Sequence, residues 1–172
     1  MCQASIKDIA VYYQRALASG LCRKTDVEFW AAEMTGKYAG DIPGWLRALS
    51  ADPSANQGLL LEAVPGESND EFVWKLMFAS LGRSFRERCL TQGQVVYLLL
   101  SWAVAGTVPE AYRRVAYLFD DYNEGIEPGW FAQEELQKEM ATFFEQFRSY
   151  EHLLPTSPPA DGCRKPLAEP GT

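Results

Sequence analysis

The hydrophobic positions of this chain recur at intervals of three and four residues, which is the spacing of amphipathic helices. The first stripe, from Ile6 to Leu17, lies between Ser5, a good N-cap, and Gly20, which ends it. The most regular stripe is the last one, at Leu136, Met140, Phe143, Phe147, Tyr150 and Leu154. No stretch alternates between polar and apolar residues as a strand would. The pattern therefore predicts an all-α fold, a compact bundle of about seven or eight helices.

Capping signals divide the stripes into separate helices. Thr25 with Glu28, and Thr91 with Gln94, have the spacing of a capping box, in which each side chain accepts the other residue's backbone N–H. Further boundaries are predicted by Asn69 (a cap), Thr107 (a cap) and Gly82 (a stop or a bend). Each of these signals is local, so it indicates where a helix begins or ends and not what the helix packs against.

The helix after the second box is the most apolar in the chain and is apolar on nearly all sides, so we expect it at the centre of the bundle. Its Trp102, together with Trp30 and Trp74, lies within an apolar stripe and is expected in the core. Trp45 and Trp130 stand at helix starts beside Gly and Pro, where exposure is more frequent. Exposed tryptophans are typical anchors of protein interfaces.

An acidic, turn-rich linker is predicted from Asp120 to Gly129, before a last helix from about Trp130 to Leu153. Five prolines and few apolar residues follow in 155–172, which predicts a disordered tail. We therefore expect one helical domain over residues 1–154 and a disordered tail after it.

The charge of the chain is concentrated in one region. The net charge is -7, but residues 1–109 carry 11 acidic against 10 basic side chains, whereas residues 110–154 carry 10 against 4. A net excess of acids argues against binding to nucleic acid, which requires Lys and Arg to neutralise phosphates. The uneven distribution fits either an ordinary solvated surface or an acidic patch for a basic partner.

Catalytic and metal-binding chemistry has no support in the residue pattern. Cys2, Cys22, Cys89 and Cys163 are scattered, and His152 is the single histidine, so neither a zinc site nor a Cys–His pair is indicated. No phosphate-binding glycine loop is present, and a calcium loop fails because residue 131 is a phenylalanine. We expect no enzyme activity, no cofactor and no metal.

The N-terminal residues lack the apolar core of a secretory signal, and the longest apolar run is shorter than the ~20 residues of a membrane span. We therefore expect a cytoplasmic protein that does not enter the membrane. Its candidate binding residues are those of the acidic segment and its flanking aromatic residues: Asp120, Asp121, Tyr122, Glu124, Glu127 and Trp130.

Four short segments carry a resemblance to a known group of proteins: FWAA at 29–32, PGWLRAL at 43–49, LSWA at 100–103 and YLFDDY at 117–122. Over roughly residues 10–125, the pattern resembles small all-helical immunity proteins encoded beside bacterial polymorphic toxins. The resemblance implies a non-enzymatic cytoplasmic protein that neutralises one cognate toxin domain by occluding its active site. The acidic charge of the chain would suit a basic toxin domain. The alternative is a helical adaptor or assembly chaperone that binds a partner through an apolar groove.

Overall fold

The computed structural model describes residues 4–38, 40–51, 56–124 and 130–154, without the side chains of 122–124 and 130–133. In this part of the chain there are eight α-helices, one 3-10 helix (Arg148–Leu153) and no strand, so the all-α prediction is confirmed. The α-helices are α1 (Ile6–Ala18), α2 (Lys24–Lys37), α3 (Gly44–Ala51), α4 (Gln57–Glu62), α5 (Asp70–Arg86), α6 (Gln92–Val104), α7 (Glu110–Glu124) and α8 (Trp130–Glu145). The proline-rich tail, 155–172, lies outside the described residues.

The described residues fall into two compact units, and the division lies within α5, after Met77. In the first unit, α1 packs against α4, and α2 packs against α3. In the second unit, α7 packs against both α6 and α8. The expectation of a single domain over residues 1–154 stays a prediction.

Helix α5, and not α6, is the helix that is buried on every side. Seven consecutive residues, 76–82, are buried, and they include the fully buried Ser80. Helix α6 instead leaves Tyr97 55% exposed and Val104 70% exposed. The prediction that the most apolar helix is surrounded by others is therefore wrong. A helix packed all round needs small side chains where neighbours approach closely, and α5 supplies them at Ala79, Ser80 and Gly82.

At Gly82, helices α5 and α8 approach each other closely. A Cβ atom at this position would lie 2.7 Å from the Cβ of Phe144 and 2.9 Å from its Cγ. The glycine does not end the helix, because α5 continues to Arg86. The missing side chain allows the Phe144 ring to pack against the α5 backbone.

A cluster of aromatic rings around Phe78 forms the core of the second unit. The Phe78 ring centroid lies 4.8 Å from that of Tyr112, 5.0 Å from Phe147, 5.5 Å from Phe143 and 6.4 Å from Trp102. One side chain of α5 thus contacts rings of α6, α7 and α8. The predicted inward positions of the last stripe, Phe143 and Phe147, are confirmed as buried. The last α-helix is shorter than predicted, because α8 ends at Glu145 and a 3-10 helix follows.

The tryptophans follow the sequence-based expectation where their side chains are described. Trp30, Trp74 and Trp102 are buried. Trp45 is partly exposed and stacks on Trp30, with ring centroids 6.5 Å apart. The side chain of Trp130 lies outside the described residues, so its expected exposure stays a prediction.

Three of the predicted caps are confirmed. The Asp8 carboxylate accepts the Ser5 N–H at 2.9 Å, while the Ser5 hydroxyl oxygen accepts the Asp8 N–H at 3.0 Å. Asn69 caps α5, since its side-chain oxygen accepts the Phe72 N–H at 3.1 Å. The second carboxylate oxygen of Asp8 accepts the N–H of Asn69 at 2.8 Å, so one buried side chain joins the starts of α1 and α5. The box of Thr91 and Gln94 forms both of its hydrogen bonds.

Two other predicted caps are wrong. Helix α2 begins before Thr25, because the Asp26 carboxylate accepts the N–H of Arg23 at 2.7 Å and fixes the first turn there. Thr107 closes the helix before it instead of opening the next one. Its hydroxyl donates to the carbonyl oxygen of Trp102 at 3.1 Å, near the end of α6.

We expect Phe78→Ala to lower the free energy of unfolding by about 3–5 kcal/mol, the usual cost of removing a large aromatic side chain from a core. The matched control is Tyr117→Ala on α7, which removes a partly exposed ring and should cost less than about 1 kcal/mol. Urea denaturation followed by circular dichroism measures both. Equal losses would contradict the central position of Phe78.

We expect Gly82→Ala to destabilise the protein by about 1–3 kcal/mol, because the added methyl group would overlap the Phe144 side chain. Gly36→Ala in α2 makes the same change where nothing lies within 4 Å, and it should stabilise by up to about 1 kcal/mol. Thermal and urea unfolding of the two variants show whether each change raises or lowers the free energy of unfolding. A stabilising Gly82→Ala would show that the two helices are not in close contact.

Candidate functional site

The predicted acidic segment begins inside a helix. Helix α7 continues to Glu124, so Asp120 and Asp121 are helical, and the prediction of a linker starting at Asp120 is corrected. Acidic groups near a helix C-terminus cost about 0.3–1 kcal/mol. Burial of Ala116 and Phe119 on the same helix outweighs this cost and keeps α7 packed through its last turns.

The structure places two of the six predicted binding side chains. Asp121 is exposed and Asp120 is partly buried, both near the end of α7. Tyr122 and Glu124 belong to the last turn of α7, and Trp130 is the first residue of α8, but their side chains lie outside the description. Glu127 lies outside the described residues altogether.

Helix α8 adds acidic side chains that the sequence analysis did not single out. Its inner face carries the buried Leu136 and Met140, and its outer face carries the exposed Glu134, Glu135 and Glu139. The helical spacing that predicts the buried face of α8 also predicts its exposed face, because the positions between the apolar residues face water.

Asp120, Asp121, Glu134 and Glu135 lie toward the joined ends of a helix pair, and Glu139 lies about one turn further along α8. Helices α7 and α8 pack against each other and are joined by only five residues, so the end of α7 and the start of α8 are close together. We refer to the five described carboxylates of this region as the acidic surface: Asp120, Asp121, Glu134, Glu135 and Glu139.

The acidic surface carries more negative than positive charge, although the exposed Lys138 lies between Glu135 and Glu139 on α8. None of its five carboxylates forms an ion pair with a residue that the structure describes. Other acids of α7 and α8 do so: Glu110 lies 2.8 Å from Arg113, and Glu145 lies 3.1 Å from Arg148. The acidic surface therefore presents a negative field to solvent, which can attract a cation or a basic protein.

Within the described ranges, no three His, Cys, Asp or Glu side chains come together as metal ligands would. Burial raises the pKa of the Tyr13 phenol far above its ordinary value, with smaller contributions from Tyr12, Cys22 and Asp26, so Tyr13 stays protonated. In the same part of the chain, no helix has the length and hydropathy needed to cross a bilayer.

Three arginines, Arg83, Arg86 and Arg88, lie at the end of α5 and just after it, and this basic cluster is partly used within the fold. Arg86 forms an ion pair with Glu151, which fastens the 3-10 helix to the end of α5. Arg83 is partly buried and Arg88 is exposed. The cluster therefore presents less free positive charge than its three arginines suggest.

Arg88 occupies a backbone position that favours glycine. It has a φ of 57°, and the following amide, of Cys89, donates to the carbonyl of Ser84 at 2.8 Å to close α5. The same closure ends α1 at Gly20 and α6 at Gly106, with φ of 71° and 67°. A side chain in this left-handed conformation is strained, because its Cβ crowds the backbone.

Comparison of the chain with protein-family models, with curated proteins and with solved structures finds no match. The resemblance to immunity proteins therefore stays a prediction, and the functional argument rests on the surface itself.

We expect Arg88→Gly to raise the free energy of unfolding by about 1 kcal/mol, because glycine adopts this conformation without strain. Arg88→Ala is the matched control: it removes the same charge but keeps a Cβ, so it should give little of the gain. Chemical denaturation of both variants separates the relief of backbone strain from the loss of the arginine charge. An equal gain from alanine would attribute the effect to charge rather than to backbone strain.

Proposed function

We propose that this chain is a protein-binding inhibitor, an immunity protein of the cytoplasm that neutralises a cognate toxin domain by occluding its active site. The observation that carries the proposal is the acidic surface, whose five described carboxylates have no ion-pair partner among the described residues. In this proposal the chain needs no catalytic group, no cofactor and no metal of its own.

Electrostatics supports a basic partner. Residues 110–154 carry a net charge of -6 out of the -7 of the whole chain, so the negative field comes mainly from the region of the acidic surface. Complementary charge raises the association rate and disfavours acidic competitors. A toxin domain that acts on nucleic acid carries the positive charge that such a surface attracts.

Two aromatic residues flank the acidic surface along the chain. Tyr122 belongs to the last turn of α7 and Trp130 opens α8. Tyr and Trp are frequent hot spots of interfaces, since they bury a large area at a small entropic cost. In the proposed complex, the carboxylates steer the encounter and these residues supply the affinity.

The alternative is a helical adaptor or assembly chaperone, which would bind its partner through apolar surface. The observation in its favour is the outer face of α6, where Tyr97 and Val104 are exposed. This alternative predicts binding that is insensitive to the charge of α7 and α8.

The test begins with capture of the partner from the native host, followed by association kinetics with purified variants. Asp121→Asn combined with Glu135→Gln should slow association about 5- to 10-fold at low salt and make it less dependent on salt. The matched control, Glu62→Gln with Glu67→Gln, removes two exposed charges from the first unit and should leave the rate unchanged.

Trp130→Ala and Tyr122→Ala should instead mainly raise the dissociation rate, at a cost of about 2 kcal/mol or more in affinity. Circular dichroism confirms that each variant is folded. If the acidic-surface pair and its control change the association rate equally, the acidic surface is only a solvated face. The adaptor alternative then becomes the leading one.

A further inference from the structure

Helix α6 lies in the longest uncharged stretch of the chain. Residues 89–109, 21 in a row, contain no Asp, Glu, Lys or Arg, although charged residues make up 23% of the sequence. The helix is not covered all round, because its outer side reaches the surface. A surface helix without a charged residue is unusual, since charged side chains normally dominate exposed helix faces.

The outer side of α6 has the spacing of a helix–helix contact. Gly93, Tyr97, Leu100 and Val104 are separated by four, three and four residues, which are the a and d intervals of a heptad. Gly93, Tyr97 and Val104 are exposed and Leu100 is partly exposed. We call these four residues the α6 seam. The inner side of the helix is a separate apolar face, made of Val95, Val96, Leu98, Leu99, Trp102 and Ala103.

The rest of the chain offers little that could cover the seam. The segments that the structure leaves undescribed between and beyond the helices are 1–3, 39, 52–55, 125–129 and 155–172. Apart from prolines, the large apolar side chains outside the description are Met1, Ile126 and Leu167, together with Tyr122, Trp130 and Phe131 at the adjoining ends of α7 and α8. They do not form a row with the four- and three-residue spacing of the seam. A row of four seam positions needs a row of apolar groups opposite, and such a row is present on α6 itself.

The seam is complementary to itself in an antiparallel pairing. If a two-fold axis passes between Tyr97 and Leu100, Tyr97 faces Leu100 of the second copy and Gly93 faces its Val104. Gly93 has no side chain and open space around it, so the position can accommodate the valine of the second copy. Two-fold pairing of one patch with itself is the commonest symmetry of protein dimers.

The charge of the chain also favours a second copy as the partner at this face. Two copies that each carry a net charge of -7 repel each other, and an uncharged face is where that repulsion is weakest. A strongly charged partner would gain nothing from this face. We propose that the α6 seam is the contact of a homodimer in which two copies of α6 pack antiparallel about a two-fold axis.

The contact is small. A helix of 13 residues is about 20 Å long, and a pair of such faces buries less than the roughly 800 Å² per partner of a stable interface. We therefore expect a reversible dimer with a Kd of about 10 µM to 1 mM. It is independent of the proposed inhibitor function, since the seam and the acidic surface share no residue.

Sedimentation equilibrium of the full chain up to about 1 mM tests the proposal. The average mass should rise from monomer toward dimer, and raising the salt from about 50 to 500 mM should strengthen the dimer, because screening removes like-charge repulsion. Tyr97→Lys should weaken it at least 10-fold. Tyr38→Lys, the same change at an exposed tyrosine on the first unit, should not. A chain that stays monomeric at 1 mM overturns the proposal and leaves the seam to a different protein.

A pair of charge changes tests the antiparallel register. Gly93→Glu alone and Val104→Lys alone should each weaken the dimer, because each places a charge in the seam. Combined in one chain, they should restore it at low salt, since each new carboxylate faces a new ammonium group of the second copy. Failure of the double variant to recover overturns the register. If both single variants dimerise as strongly as the wild type, the α6 seam is not the dimer contact. Circular dichroism verifies that all three variants are folded.

Discussion

The burial of α5 on every side constrains the rest of the structure. Residues 70–77 of α5 belong to the first unit and residues 78–86 to the second, and within each unit the neighbouring helices must bring apolar side chains that fit this helix. Where α8 approaches, the fit requires the absence of a side chain at Gly82, against which Phe144 packs. Where α6, α7 and α8 converge, it requires the ring of Phe78.

Because α5 occupies the interior, the other helices of the second unit each keep one face in water, and these faces differ in charge. Helix α8 carries Glu134, Glu135 and Glu139 outward, whereas α6 carries no charge at all. Long-range attraction favours a basic partner at the first face, and apolar burial favours contact at the second. Added salt should therefore weaken binding at the acidic surface and strengthen it at the seam.

The sequence indicated the acidic region but not its form. The excess of acids in 110–154 was visible in composition, and Asp120 and Asp121 stood out because acids oppose the dipole at a helix end. That they belong to α7 depends on burial of Phe119, whose partners lie elsewhere in the chain. The acids of α8 lie on the solvent-facing side of a regular helix, where charged residues are common, so the sequence pattern does not distinguish them as a site.

The sequence by itself determined what is local in this protein: the helical class, the inward stripe of α8, and caps such as Thr91 with Gln94, whose partners are three residues apart. The tertiary structure decided which helix is enclosed and which face stays uncovered. Helix α6 has the most apolar sequence, but α5 is the helix that is buried on every side. Its small residues let distant helices approach closely, and such an approach depends on pairs like Gly82 and Phe144 that no local pattern reveals.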